Sequence, residues 1–298
     1  MKQGFRHWCS SWCWRRFFSH RFVIKSIGLL ITIAALLTLT LSPSHPLPPS
    51  PSPSPALPSS FPPPQPHPLP VGLLTWQGSH QSGDYFDQVQ PSIVGYLIWT
   101  RFPITVYVQP PTEADNASPF TAKRAQTWVK AVQTAIQDWT PYLPLQPIEQ
   151  ATGADITIWR STPPLRVDYG GDRNSPETSS NSKPGGKPAL PTLRARSAET
   201  QFELYIRKTD TASAEPNSVL AHRMTIYIRP DQSFDHLQAA ARHELGHALG
   251  IWGHSPNPTD TMYFSQVRNP AQVSVRDINT LKRIYEQPTR LGWPMANA

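Results

Sequence analysis

An α+β fold is expected in the part of this 298-residue chain that follows a proline-rich stretch. Four short segments alternate apolar and polar residues as strands do: Ile104–Val108, Ile156–Trp159, Phe202–Ile206 and Met224–Ile228. Two longer ones, Thr121–Trp139 and Ser274–Tyr285, carry an apolar stripe at helical spacing, and Ser233–Leu249 reads as a helix behind Ser233 as N-cap. The order strand, long helix, strand at 104–159 predicts a right-handed βαβ unit. With 35 prolines against 16% charged residues, composition favours one folded domain with appendages over a chain packed throughout.

Residues 1–42 read as an export signal, a basic stretch followed by the apolar run Ile27–Leu41. No small-residue cleavage site follows before Pro43, so cleavage and retention as a membrane anchor both stay open. In either case the basic flank stays cytoplasmic and the rest is extracytoplasmic, secreted or anchored by a single N-terminal span. The formal net charge of +7 belongs to this segment. Six cations (Lys2, Arg6, Arg15, Arg16, Arg21, Lys25) lie in it with no acid, leaving 21 basic residues against 20 acidic ones. A nearly neutral remainder argues against nucleic-acid binding. Both cysteines, Cys9 and Cys13, also fall there, so the rest of the chain has neither a disulfide nor a thiolate ligand.

Residues 43–71 form a proline-rich linker, a semi-rigid polyproline II spacer by composition. Residues 72–92, with Trp76, Tyr85 and Phe86, form a lead-in whose packing the sequence leaves open. The domain is expected over 93–288. Its first strand ends at Pro110-Pro111, and its long helix, with Ala125, Trp128, Val129, Val132, Ile136 and Trp139 on the stripe, is closed by Pro141. Residues 163–191, rich in Gly, Pro, Ser and Asn, read as a long surface loop, and 289–298 as a tail.

The chemistry concentrates in His243-Glu244-Leu-Gly-His247-Ala-Leu-Gly250-Ile-Trp-Gly253-His254, followed by Asp260-Thr-Met262-Tyr263. On a helix, His243 and His247 point from one face and can share a metal ion. Glu244, beside the first of them, reaches a water held there without entering the metal's own shell. This is the zinc-protease spacing, with the glutamate as general base. Gly250 can take the left-handed conformation that ends a helix and turns the chain. His254 follows the turn as a third imidazole, leaving a fourth tetrahedral position for water.

The stretch resembles the metzincin metalloproteases, and HELGHALG is especially similar to the matrixins. The resemblance covers roughly Ile93 to Gln287 in outline, its specific part being the metal stretch and Met262, which looks like the Met-turn residue. It implies the zincin form of an α+β fold: a twisted mixed β-sheet with a long backing helix, an active-site helix and a C-terminal helix. It also implies Zn2+ on His243, His247 and His254, and Met262 packed beneath them without ligating. Three residues separate Gly250 from His254 where the family usually has two, a longer spacing that some metzincin branches share. His254 then reaches the metal through a local bulge, with Gly253 taking backbone angles closed to other residues. Asp260 downstream and His236 upstream are the substitutes, while His222 reads as structural or exposed. Phe264 stands where some metzincins place a ligating tyrosine, which is therefore missing here, as it is in matrixins. Matrixins carry extra calcium or zinc in the region of the long loop. Here Asp168 and Asp172 flank two glycines with no histidine, so a solvated loop is expected and Ca2+ is not indicated.

The function expected is zinc-dependent endopeptidase activity on a polypeptide substrate. That substrate would add as a strand to a sheet edge, with Phe202, Leu204 and Ile206 as the rim on one side. Tyr263 is a further rim candidate, and the segment after it resembles a primed-side pocket wall. The alternative is an exported, envelope-associated binding or scaffold protein with a vestigial metal site. An uncleaved N-terminal segment would add the membrane as a partner.

Overall fold

The computed structural model describes residues 61–78, 80–164, 166–168, 192–194, 196–208, 218–265, 267 and 269–295. Residues 1–60, read in sequence as an export signal and most of a spacer, and residues 169–191, which include Asp172, lie outside the described residues. Among the described residues no helix is long and apolar enough to cross a membrane.

The fold is mixed α+β. A five-stranded sheet runs in the order β2-β1-β3-β7-β6, from β1 (Ile104–Val108), β2 (Leu145–Ile148), β3 (Ile156–Trp159), β6 (Ala198–Lys208) and β7 (Ser218–Ile228). Four strands are parallel, and β6 pairs antiparallel with β7 at the edge, Ala198 opposite Ile228 through to Lys208 opposite Ser218. A separate two-stranded ladder joins β4 (Arg166–Asp168) to β5 (Thr192–Arg194). The four helices described are α1 (Val71–Leu74), α2 (Pro119–Trp139), α3 (Phe234–Ala248) and α4 (Val275–Tyr285).

The expected strand–helix–strand unit is modified by one strand. β1 and β3 are parallel neighbours, Val106 facing Ile156, but α2 leads first into β2, which pairs on β1's other side. β2 is four residues long and contains Pro147, which a central strand would not accommodate and an edge strand does. α2 starts two residues before the sequence reading. Ser118 caps it by accepting from the Thr121 amide, and Pro119 occupies the first turn, where its missing N–H removes nothing. Its stripe is as expected except that Val129 is only half-buried, while Ala131 and Ala135 close against the sheet.

α2 and α3 are joined in the core. The Trp139 indole donates to the Arg242 carbonyl at 2.9 Å, and the buried Arg242 guanidinium returns to Asp138 at 2.8 Å. The flanking segments belong to the same compact unit as the sheet. Residues 61–70, read from composition as spacer, lie against 289–293: Gln65 pairs with Thr289, and the His67 ring stacks on Trp293 at 4.4 Å. The lead-in is tied to α4 through Tyr85, whose amide donates to Thr280 at 3.0 Å, and through the Trp76 indole, which donates to Asn279 at 3.0 Å, while Leu73 and Val89 are buried beside them in the core.

Candidate metal centre

α3 presents His243 and His247 one turn apart near its C-terminal end. The helix stops because Gly250 adopts φ 126°, where a side chain would be strained and its Cβ would come within 3.1 Å of the Leu97 carbonyl. The chain turns there and returns His254 to the same place. The ring centres lie 4.8 Å (His243–His247), 5.0 Å (His247–His254) and 5.2 Å (His243–His254) apart. One nitrogen from each ring falls within 4.8 Å of the others, so the three could hold a metal ion.

The donor set fits that role. His243 Nδ1 lies 2.9 Å from the Thr261 carbonyl and His247 Nδ1 2.7 Å from that of Ile251. A carbonyl only accepts, so each Nδ1 carries the proton and each Nε2 keeps its lone pair for a metal. Burial, reinforced by the neighbouring histidines, pushes His247 well below the usual imidazole range and His254 to about 4. Both are held as neutral imidazoles, the ligating form. All three rings are only partly buried, which leaves one side of the cluster open.

Glu244 is buried beside the cluster and is not among its ligands. Its Oε2 accepts from the Thr200 hydroxyl of β6 at 2.7 Å. Burial pushes the carboxyl above its usual range, against the opposing pull of His243 and of the Thr200 hydrogen bond. Thr200 gives no sequence signal of its own. It meets Glu244 across 44 residues because β6 is the edge strand beside α3.

Met262 is fully buried, and its sulfur lies where a Cβ on Gly246 would be, 2.2 Å away, so glycine at 246 is what admits it. The Met262 carbonyl accepts from the Ser255 amide at 2.7 Å, tying this turn to the loop of His254. Asp277, at the start of α4, holds the same turn. Its carboxylate accepts from the amides of Thr261 (2.9 Å), Met262 (3.3 Å) and Ser274 (2.8 Å), and from the Tyr85 hydroxyl (2.5 Å). Burial raises the Asp277 carboxyl, and burial with Asp277 beside it raises the Tyr85 phenol, which therefore stays a donor. The S-x-x-D of Ser274–Asp277 marks a helix cap in the sequence. The hold on residues 261 and 262 has no such mark.

Neither substitute ligand joins the cluster. The Asp260 carboxylate is buried among Ser255, Ser274 and Arg276, the last two at 2.8 and 2.9 Å. His236 is exposed at the start of α3, its Nδ1 2.8 Å from the Ser233 hydroxyl. Gly253 corrects the expected account of the longer spacing. Its φ is not left-handed; what glycine provides is close approach, because a Cβ there would lie 2.2 Å from the Gln88 carbonyl. The Gln90 amide then donates to the Trp252 carbonyl at 2.9 Å, so the lead-in braces the extra residue.

Of the rim residues, Phe202, Leu204 and Ile206 lie on the face of β6 that also carries Thr200. Tyr263 lies beyond Met262, with its ring 4.5 Å from that of Phe264. Compared with known proteins, the chain matches no family model and no curated sequence.

Proposed function

We propose that this protein is an exported zinc-dependent endopeptidase of the metzincin type, with a matrixin-like catalytic domain. The observation that carries the reading is the division of labour in the cluster. Three imidazoles converge, two with Nδ1 fixed by backbone carbonyls, while a buried carboxylate stands next to them and outside the ligand set. A site that only bound metal would have no use for that carboxylate. The sheet order, with an antiparallel edge strand beside the histidine helix, supports the zincin form of the fold.

A zinc ion, when bound there, supplies Lewis acidity that polarises a carbonyl and brings the pKa of a water molecule toward neutrality. Glu244 takes the proton from the attacking water on its carboxylate and gives it to the departing amine. Thr200 fixes the direction in which that carboxylate points. Asp277 and Tyr85 fix the turn whose Thr261 carbonyl orients His243. The open edge of β6 is where an extended substrate would pair.

Glu244→Ala tests the mechanism. It should keep its zinc and lower peptide turnover by about a hundredfold or more, as loss of a general base does. Thr200→Val should lose a smaller share of turnover, restored by Thr200→Ser. Near-wild-type cleavage by Glu244→Ala would refute the mechanism and leave the vestigial-site alternative. Export rests on the basic and apolar N-terminal segment. Protease added to intact cells should reach the domain, and protection until lysis would contradict export.

A further inference from the structure

Beside the histidines lies a partly exposed aromatic pair, of which the hydrolytic reading uses only Phe202, as a rim residue. Trp252, in the stretch that lengthens the histidine spacing, tilts over His247 with ring centres 5.8 Å apart and meets the Phe202 ring edge-on at 5.2 Å. Phe202 stays 40% exposed and Ile206, on the same strand face, 59%. An edge strand leaving large apolar side chains open at two-residue steps, next to a reactive site, presents a stripe with the repeat of an extended chain. Among the described residues β6 pairs only with β7, so its other side offers backbone groups to a strand. The Trp252 indole N–H is buried with no hydrogen-bond partner among the described residues. Indole N–H groups in such places usually have one.

We infer that Trp252 and Phe202 form an aromatic subsite that selects extended polypeptides carrying a large apolar or aromatic side chain. The inference rests on the peptidase reading for its substrate class. The subsite's position follows from the strand. Thr200 is level with the Glu244 carboxylate, and Phe202 lies two residues further along the same face, about 7 Å away at the usual strand rise. The selected side chain therefore sits about two residues from the bond that is cut, and Leu204 and Ile206 continue the apolar contact beyond it.

The test measures binding apart from turnover. Zinc-loaded full-length Glu244→Ala would be titrated, by fluorescence anisotropy, with labelled peptides alternating Phe with Ser or Ala with Ser. The Phe peptide should bind about tenfold or more tightly, the worth of burying one aromatic side chain. Trp252→Ala and Phe202→Ser should each abolish that preference. Trp252→Phe should keep most of it, and Phe120→Ser, which alters an exposed aromatic on α2, should leave it unchanged. Phe202 is exposed enough that its variant tests the subsite even if Trp252→Ala fails to fold. Equal binding of the two peptides, or a preference that survives Phe202→Ser, would overturn the inference. So would a concentration-dependent dimer abolished by Phe202→Ser, which would assign the stripe to a second copy. Wild-type chain that shows the preference but cleaves neither peptide would refute the peptidase reading and leave the subsite standing.

Discussion

His243 and His247 stand on a helix whose cap, Ser233, and stop, Gly250, lie at its own two ends. His254 hangs on a loop braced from elsewhere in the chain. Gln88 and Gln90 press on residues 252 and 253, Arg276 and Ser274 hold Asp260, and Asp277 with Tyr85 holds the turn at 261–262. The positions of two candidate ligands along α3 are thus set by local geometry, although the Thr261 carbonyl of the loop orients the His243 ring, and the third is placed by contacts that close only when the sheet, α4 and the lead-in have assembled. The difference teaches that a candidate metal site can have a locally held half and a dependent half, and that the dependent half is where it should fail first.

Removing Asp277 breaks the comparison on the loop side. Asp277→Ala leaves three amides and a buried phenol without their acceptor and should cost about 2–4 kcal/mol in urea unfolding. It should also weaken zinc retention, because the Thr261 carbonyl loses its anchor while α3 keeps its cap. Unchanged stability and unchanged zinc would mean that the turn holds itself.

The helix side is probed more gently through His222, which is buried on β7 with its ring tilted against that of Trp99 at 4.1 Å, and the Trp99 indole donates to the Ala248 carbonyl at the end of α3. Burial, with Arg207 adding to it, lowers His222 to about 3 against an ordinary 6.5. A depressed folded-state pKa means the unfolded chain takes up the proton first. Its contribution is complete above pH 6.5 and is lost as pH falls toward 3, at about 1.4 kcal/mol per pH unit. His222→Leu should remove that slope from the unfolding free energy between pH 6.5 and 4. An unchanged slope would show that His222 is not the group responsible.

How much of this was legible in the sequence follows the same division. α2, α3 and α4 announce themselves because caps and apolar stripes are local signals. Only the halves of β6 and β7 that alternate could be read. Residues 219–222 are buried on both faces and so show no alternation. β2 was hidden by its shortness and by Pro147. In the site, the histidine spacing placed His243, His247 and Glu244 on one helix. His254 could be named as the third imidazole because Gly250 signals the turn, but the support for its loop is spread from Gln88 to Asp277. Thr200 was invisible for a related reason: nothing near residue 200 refers to Glu244, and only strand pairing brings them together.

The central claim is that the helix and the loop jointly make one metal centre, and zinc content after dialysis tests it most directly. The full chain should hold about one zinc ion per molecule, as expected for a single site with three protein ligands. His254→Ala should lose it, and His236→Ala, whose ring faces solvent at the other end of α3, should keep it. A His254→Ala chain that retains its full zinc, or a His236→Ala chain that loses it, would contradict the account.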